Sequence, residues 1–500
     1  MTEPEGIRMG HNWRSLLRDV AATQDPDQLR DLWWLAHEEA APHERGRLLA
    51  QIEALGRAAR KTADRLAAER GEAPAPVSQP AATPPPPVVP AAPSVAPVPP
   101  AAGGYVRRKA ARAATPTAHD AEQERVAWAE EVRGDAIEPD ATEDEVTTSL
   151  AVWHEHVQVL GRPVRFVGWR GQTAIDLYTL LAAANGAMVQ PERLRSELAR
   201  AISAGTADAG TRRGWAFVNP DTSPRLGQQV IEFDVTAQFP GAARSTECGD
   251  GEPDLIESPS AATVREVAQR AGYARLAARP DLSGLRPAAR YSLARIDAGV
   301  WIAAPEVKYL HGRGVDLDVD QVVLWPRGRH GRRLAVWSSH VLTARTTLTA
   351  ARDAGEPGAA LALAVLKLMY STFLGGLLAS ADVNRSDTLR HDWRDQVSSQ
   401  AGTNALRAMD KLPEDVDPIG GQIDAFWFVA DDADYRPPGL VYSDLPDLMP
   451  KSHQQPGKWH RNRHGLITPA LIDAHAKGRH GSIQRAVIAA DDLRKGAGAL

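Results

Sequence analysis

With one cysteine, Cys248, in 500 residues, the chain has no means of forming an internal disulfide framework or a Cys-rich zinc site. No apolar run reaches the roughly 18 residues that a membrane-spanning helix needs. The opening MTEPEGIRMGHNW lacks the charged-then-apolar layout of a secretory signal, so a cytoplasmic address is expected. No internal period is visible, which argues against a repeat array. Neither sign of charge dominates: 58 Lys and Arg face 63 Asp and Glu, a formal net charge of -5, so the placement of charge matters more than its sum.

What is present falls into blocks. Apolar residues recur at helical spacing in the first 70 residues: Trp13, Leu16, Leu17 and Val20, then Leu29, Leu32, Trp33 and Leu35, then Leu48, Leu49, Ile52 and Leu55. Asp25-Pro26 separates two of these helices as an N-cap followed by a first-turn proline. Residues 71–147 read as a spacer, Ala- and Pro-rich to about Pro116 and then acidic to Glu145, with folded sequence resuming near Leu150. Beyond it come a strand-like piece at Pro163 to Trp169, a helix at Thr173 to Asn185 and a charged helix at Pro191 to Ser203. Strands then dominate from Val230 and again from Ala298 to Trp337, and Ala350 to Ser380 is helical. Strand and helix blocks in this alternation predict an α+β body. Basic residues cluster at Arg327, Arg329, Arg332 and Arg333, a solvated hairpin tip or a duplex-contacting loop, and near Lys451, Lys458, Arg461 and Arg463.

Three stretches carry candidate chemistry. In VIEFDVTAQFPGAA, a buried-strand pattern through Phe233 ends at Asp234, and a carboxylate there costs several kcal/mol unless it is paired or holds a cation. In LKLMYSTFLGG, Lys367 offers an ammonium to a phosphate, with Ser371, Thr372 and Gly375 on the following turns. FWFVADDADY is a second apolar run ending in Asp431, Asp432 and Asp434. Two strand ends bearing carboxylates are expected to meet in one sheet and hold two hard cations, which stabilise the attacking and leaving oxygens of a phosphoryl displacement. A strand-end cap at Asp234 and a solvated charge at Lys367 are the plainer alternatives.

In order and context these stretches resemble family B DNA polymerases of the protein-primed type. Asp-x-x-Ser-Leu-Tyr-Pro of the family corresponds to Asp234 through Pro240, Lys-x-x-x-Asn-Ser-x-Tyr-Gly to Lys367 through Gly375, and Asp-Thr-Asp to Asp432, Ala433 and Asp434; a second register starts at Asp431 with Ala433 at the second position. TRRGWAFVN, with Arg212, Arg213, Gly214, Trp215 and Asn219, is similar to the stretch that precedes the palm, and PGKW, with Lys458 and Trp459, to the segment leading into the thumb. The resemblance implies a right-hand fold: a pre-palm region at 148–229 left from an exonuclease domain, a palm at 230–350 and 413–448 built on an antiparallel sheet, helical fingers at 351–412 and a small thumb at 449–500.

It further implies two Mg2+ ions, or Mn2+, on Asp234, Asp432 and Asp434 with Asp431 beside them. Phe239 would be the steric gate under the sugar, and Lys367 the triphosphate contact. Ser371, Thr372, Leu374 and Gly375 would face the nascent base pair, and Arg212, Arg213, Gly214, Lys458 and Trp459 would contact DNA. Partners implied are DNA, dNTPs and a terminal protein, in a nucleoid-associated polymerase acting without proofreading on a linear replicon or its telomere. The alternative is a catalytically inactive relative that docks telomere DNA or a terminal protein.

Other features read more plainly. Asp316, Asp318 and Asp320 alternate like a calcium loop, but Gln321 stands where that loop demands Gly, so an exposed strand face is expected. His154 and His156 have no further ligand nearby in sequence, and no metal site is expected there. Cys248 has no evident His partner and is not expected to be a nucleophile.

Overall fold

In the computed structural model the described residues are 117–134, 137–184, 216–377, 390–422, 425–442 and 457–497. The expected N-terminal helices, the Ala/Pro spacer and the helix at 191–203 lie outside them, as do Arg212, Arg213, Gly214 and Trp215.

Helices α1 (Ala118–Val132) and α2 (Glu143–His156) occupy the acidic stretch that the sequence pattern assigned to the spacer. The acidic residues there are helix starts: Thr117 with Asp120 and Thr142 with Glu145 form capping boxes, and Glu143, Asp144 and Glu145 sit in a first turn where the dipole favours negative charge. Their apolar faces bury Trp128, Val132, Val152 and Trp153 against Phe166. The hairpin β1 (Gln158–Val159) and β2 (Arg162–Pro163) follows, then α3 (Arg170–Ala184). Of the expected strand at 163–169, only the start pairs: Pro163 lies opposite Gln158, and the Val164 amide donates to the Val157 carbonyl at 2.8 Å.

The central sheet begins with β3 (Ala216–Val218) and β4 (Gln229–Val235), and α4 (Gln238–Ala243) and β5 (Cys248–Gly249) follow. An insertion comes next, comprising β6 (Asp254–Glu257), α5 (Ala261–Val267), β7 (Gly272–Leu276), α6 (Pro287–Ser292), β8 (Trp301–Ala303), α7 (Ala304–Gly312) and β9 (Val319–Leu324). Its strands pair in the order β6-β9-β7-β8, and Ala274, Leu276, Ile302 and Val322 form its own core with α7. Asp320 of the suspected calcium loop is on β9 and forms a two-pronged ion pair with Arg275, at 2.9 and 2.6 Å. Of the basic cluster, Arg327 pairs with Glu266, Arg332 with Glu247 and Arg333 with Asp250.

β10 (His330–Gly331) pairs with β5 and leads to two long helices, α8 (Ala335–Asp353) and α9 (Ala359–Thr372), which pack on each other and on α2 and α3. A π-helical turn at Phe373–Leu377 ends α9. α10 (His391–Met409) packs under the central sheet, which is completed by β11 (Gly420–Gln422), β12 (Ala425–Ala430) and β13 (Trp459–Leu466) and covered on part of its other face by α11 (Pro469–Ala476) and α12 (His480–Ala497). The strand order is β13-β4-β12-β11-β3, with every ladder antiparallel. β13, expected in a thumb, is an edge strand of this sheet because its backbone pairs along the whole of β4. Among the described residues no helix is long and apolar enough to cross a membrane.

Candidate active site at the end of the central strand

Strand periodicity sorts β4 into two faces. Ile231, Phe233 and Val235 join Phe426, Phe428 and Trp459 in one apolar core, which leaves Glu232 and Asp234 on the opposite face. Glu232 is tied down: Trp427 donates to it at 3.1 Å and Arg463 at 2.8 Å, and Asn462 donates as well. Asp234, 3% exposed, stands opposite Ala425 on one side and His460 on the other. Beyond it, the Thr236 hydroxyl bonds His460 Nδ1 at 3.1 Å, and the Thr236 amide donates to the carbonyl of Lys458 at 3.2 Å. Ala237 then takes a left-handed conformation, φ 51°, which costs a residue with a Cβ about 1–2 kcal/mol, and this reversal delivers the chain into α4. Phe239 is half-buried there against the core of the α1, α2, α8 and α9 helices.

That reversal opens onto a cavity of about 240 Å³ lined by Thr236, Ala237, Arg345, Arg352, Ala360, Leu363, Ala364, Lys367 and Tyr370. Arg345 is 5% exposed, and burial lowers its pKa, with Tyr370 opposing the shift and Arg352 adding to it. Arg352 also pairs with Asp353 at 2.7 Å. Two guanidinium groups and one ammonium thus converge where charges of one sign destabilise each other and an entering polyanion relieves the conflict. Lys367, singled out in the sequence, lines this cavity beside Thr236 and Ala237, the segment that follows Asp234. Arg345 and Arg352 were not singled out there. Their signal was their spacing of seven on one helix, two turns apart on the same face.

The rest of the helical motif divides. Lys367, Ser371 and Gly375 are exposed at successive intervals of four, on one face. The Thr372 hydroxyl accepts from Arg170 at 3.1 Å, which in turn pairs with Glu131 at 2.5 Å. Leu374 does not join the exposed face: it is 5% exposed within the helical core, four residues after buried Tyr370 and eight after buried Leu366 on the same helix face. Trp459 is likewise a core residue, 4% exposed and packed edge-on against Phe426 at 5.7 Å, since its register opposite Val235 puts it on the apolar face. Lys458 stays at the site through its backbone bond to Thr236, and Gly457 donates to the Thr236 carbonyl at 2.7 Å.

The acidic run after β12 does not meet Asp234. β12 is antiparallel to β4: Ala425 faces Asp234, and Ala430, just before Asp431, faces Gln229, so the two strand ends are separated by about 17 Å of ladder. Asp431 accepts from Gln228 at 3.1 Å. Asp432 accepts from the amide of Asp434 at 2.9 Å, a local turn bond. Asp434 pairs with Arg461 at 3.0 Å, and Arg461 lies opposite Phe233, on the face away from Asp234. Neither register of the ADDAD block assembles a shared site with Asp234. Antiparallel pairing joins the end of one strand to the beginning of its neighbour, and at the beginning of β12 the residues between Gln422 and Ala425 are Ile423 and Asp424, outside the described residues.

No protein-family model and no curated protein sequence matches this chain. Among solved structures it is similar to Phi29 DNA polymerase complexed with primer-template DNA, at 12% identity and a TM-score of 0.41, over 64% of this chain and 55% of that one. The same polymerase complexed with single-stranded DNA matches at 12% identity and a TM-score of 0.42, and its ternary complex with primer-template DNA and incoming nucleotides at 14% and 0.39. The chain spans about half the length of the polymerase chains it matches.

Proposed function

We propose that this chain performs template-directed nucleotidyl transfer on DNA, with the central sheet as palm, α8 and α9 as fingers, Asp234 as metal anchor and the Arg345, Arg352 and Lys367 cavity as receptor for the triphosphate of a dNTP. The observation that carries this proposal is the convergence of three cationic side chains on the chain two and three residues beyond a buried strand-end carboxylate. A buried carboxylate two residues before the segment that lines a cationic cavity matches the two needs of a metal-bound triphosphate, a hard-cation ligand and phosphate neutralisation. A pair of Mg2+ ions held there would stabilise the attacking and leaving oxygens of the displacement.

The second carboxylate in this proposal is Asp424. Chain connectivity ties it to Ala425, the residue that faces Asp234 across the ladder. Gln422-Ile423-Asp424 then takes the place of the family's Asp-Thr-Asp with one carboxylate replaced by an amide, in preference to the ADDAD block. Phe239, at the start of α4, remains the steric-gate candidate.

Primer extension with the purified chain, Mg2+ and labelled dNTPs tests the proposal. The expected result is incorporation that both Asp234→Asn and Asp424→Asn abolish. Tight DNA binding by the unaltered chain with no incorporation in Mg2+ or Mn2+ overturns it.

A further inference from the structure

Far from Asp234 in sequence, the last turn of α2 and the α8–α9 connection bring together Glu155, His156 and Glu356, whose ligand atoms all lie within 4.8 Å of one another. We propose that these three side chains form a binding site for a first-row transition-metal dication such as Zn2+, which clips α2 to the helix pair carrying Arg345, Arg352 and Lys367.

Three observations point the same way. The donor set of one imidazole and two carboxylates suits zinc and its neighbours and is a poor match for Mg2+, which prefers oxygen alone. Ligands on a tetrahedral zinc with bonds of about 2.1 Å lie roughly 3.4 Å apart, so closing from 4.8 Å needs side-chain rotation and no backbone movement. His156 and Glu356 already touch at 3.3 Å, across 200 positions of sequence, which is why no neighbour in sequence disclosed the site.

Electrostatics favours a cation at this spot. Glu155 belongs to the C-terminal turn of α2, where the helix presents its negative end, and Glu356 brings a second carboxylate to it; both charges are unfavourable there without a cation.

The scaffold is also set before any metal arrives. Gly358, at φ 84°, lies so close to α2 that a Cβ would come within 2.6 Å of the Ser149 nitrogen, and the Glu356 amide donates to the Ala351 carbonyl at 3.0 Å. The connection is thereby held against the helix that supplies the other two ligands. A dication binding across the two elements stabilises the folded chain in proportion to its occupancy.

The test is titration of the full chain in an Asp234→Asn background, which keeps the proposed catalytic site from contributing. Co2+ is followed by its visible absorption and Zn2+ by competition, with thermal unfolding alongside. A single site that Zn2+ occupies in preference to Co2+ is expected, with a rise in unfolding temperature on metal addition. His156→Ala and Glu356→Gln should weaken binding at least tenfold and abolish the thermal shift. Glu155→Gln is the decisive variant, because it spares the His156–Glu356 contact: it should leave the metal-free unfolding temperature unchanged and still weaken binding at least tenfold. Wild-type affinity in Glu155→Gln, or no saturable site in the parent chain, overturns the proposal. Neither result bears on nucleotidyl transfer, which is read by primer extension.

Discussion

β4 and β12 are neighbours in the central sheet, and each leads to a carboxylate: Asp234 at the end of one, Asp431, Asp432 and Asp434 after the other. In sequence the second is the richer acidic block, yet its carboxylates bond to Gln228, to a local amide and to Arg461, whereas Asp234 is buried beside a cation-lined cavity. The difference is one of direction and parity. Antiparallel pairing sends the two strand ends to opposite ends of the ladder, and the alternation of side chains puts Arg461, which holds Asp434, on the face opposite to Asp234. Acidic density is thus a weak guide to which carboxylates meet in the fold, and strand direction a strong one.

The contrast can be broken most directly at the two carboxylates themselves. Asp234→Asn should lower single-turnover incorporation about a thousandfold, since a lost metal anchor removes several kcal/mol of transition-state stabilisation. Asp434→Asn should leave the same rate within about threefold, its partnership with Arg461 being an exposed ion pair of roughly 0–1 kcal/mol. Equal losses in the two variants would return the ADDAD block to the site.

The apolar face of β4 sharpens the comparison next. Trp459→Ala should destabilise the fold by about 3–5 kcal/mol in urea unfolding, as expected for a large core residue. A loss of DNA affinity at unchanged stability would instead make Trp459 a nucleic-acid contact. The smallest of the main effects is expected in the cavity: Arg345→Met and Lys367→Ala should each raise the KM for dNTP about tenfold to a hundredfold, the value of one charged hydrogen bond. Steady-state kinetics with varied dNTP checks it, and an unchanged KM in both variants would separate the cavity from the triphosphate.

Two residues of the candidate site stand out in the sequence. Asp234 announced itself as a charge at the end of an apolar strand, and Lys367 as a cation on an apolar helix with small residues one and two turns on. Three things were not legible. The helices at 118–156 were hidden because their acidic first turns resemble a charged spacer, although the Thr117 and Thr142 capping boxes were there to be read. Leu374 faces a nascent base pair only by resemblance of the motif, whereas its spacing of four from Tyr370 and eight from Leu366 puts it on the buried face of the helix. Trp459 is a DNA contact only by resemblance of PGKW to the segment leading into the thumb, and pairing with β4, more than 200 positions away in sequence, puts it in the core.

By itself the sequence determined the helix α3, the strands β4 and β12 and the helix α9, and it singled out Asp234 and Lys367, because those properties follow from local periodicity and from the cost of burying charge. The tertiary structure decided which charges share a site. Strand order, ladder direction and face parity are long-range properties, and they separate Asp434 from Asp234, bring Arg345 and Arg352 to Thr236, and place Glu356 against His156.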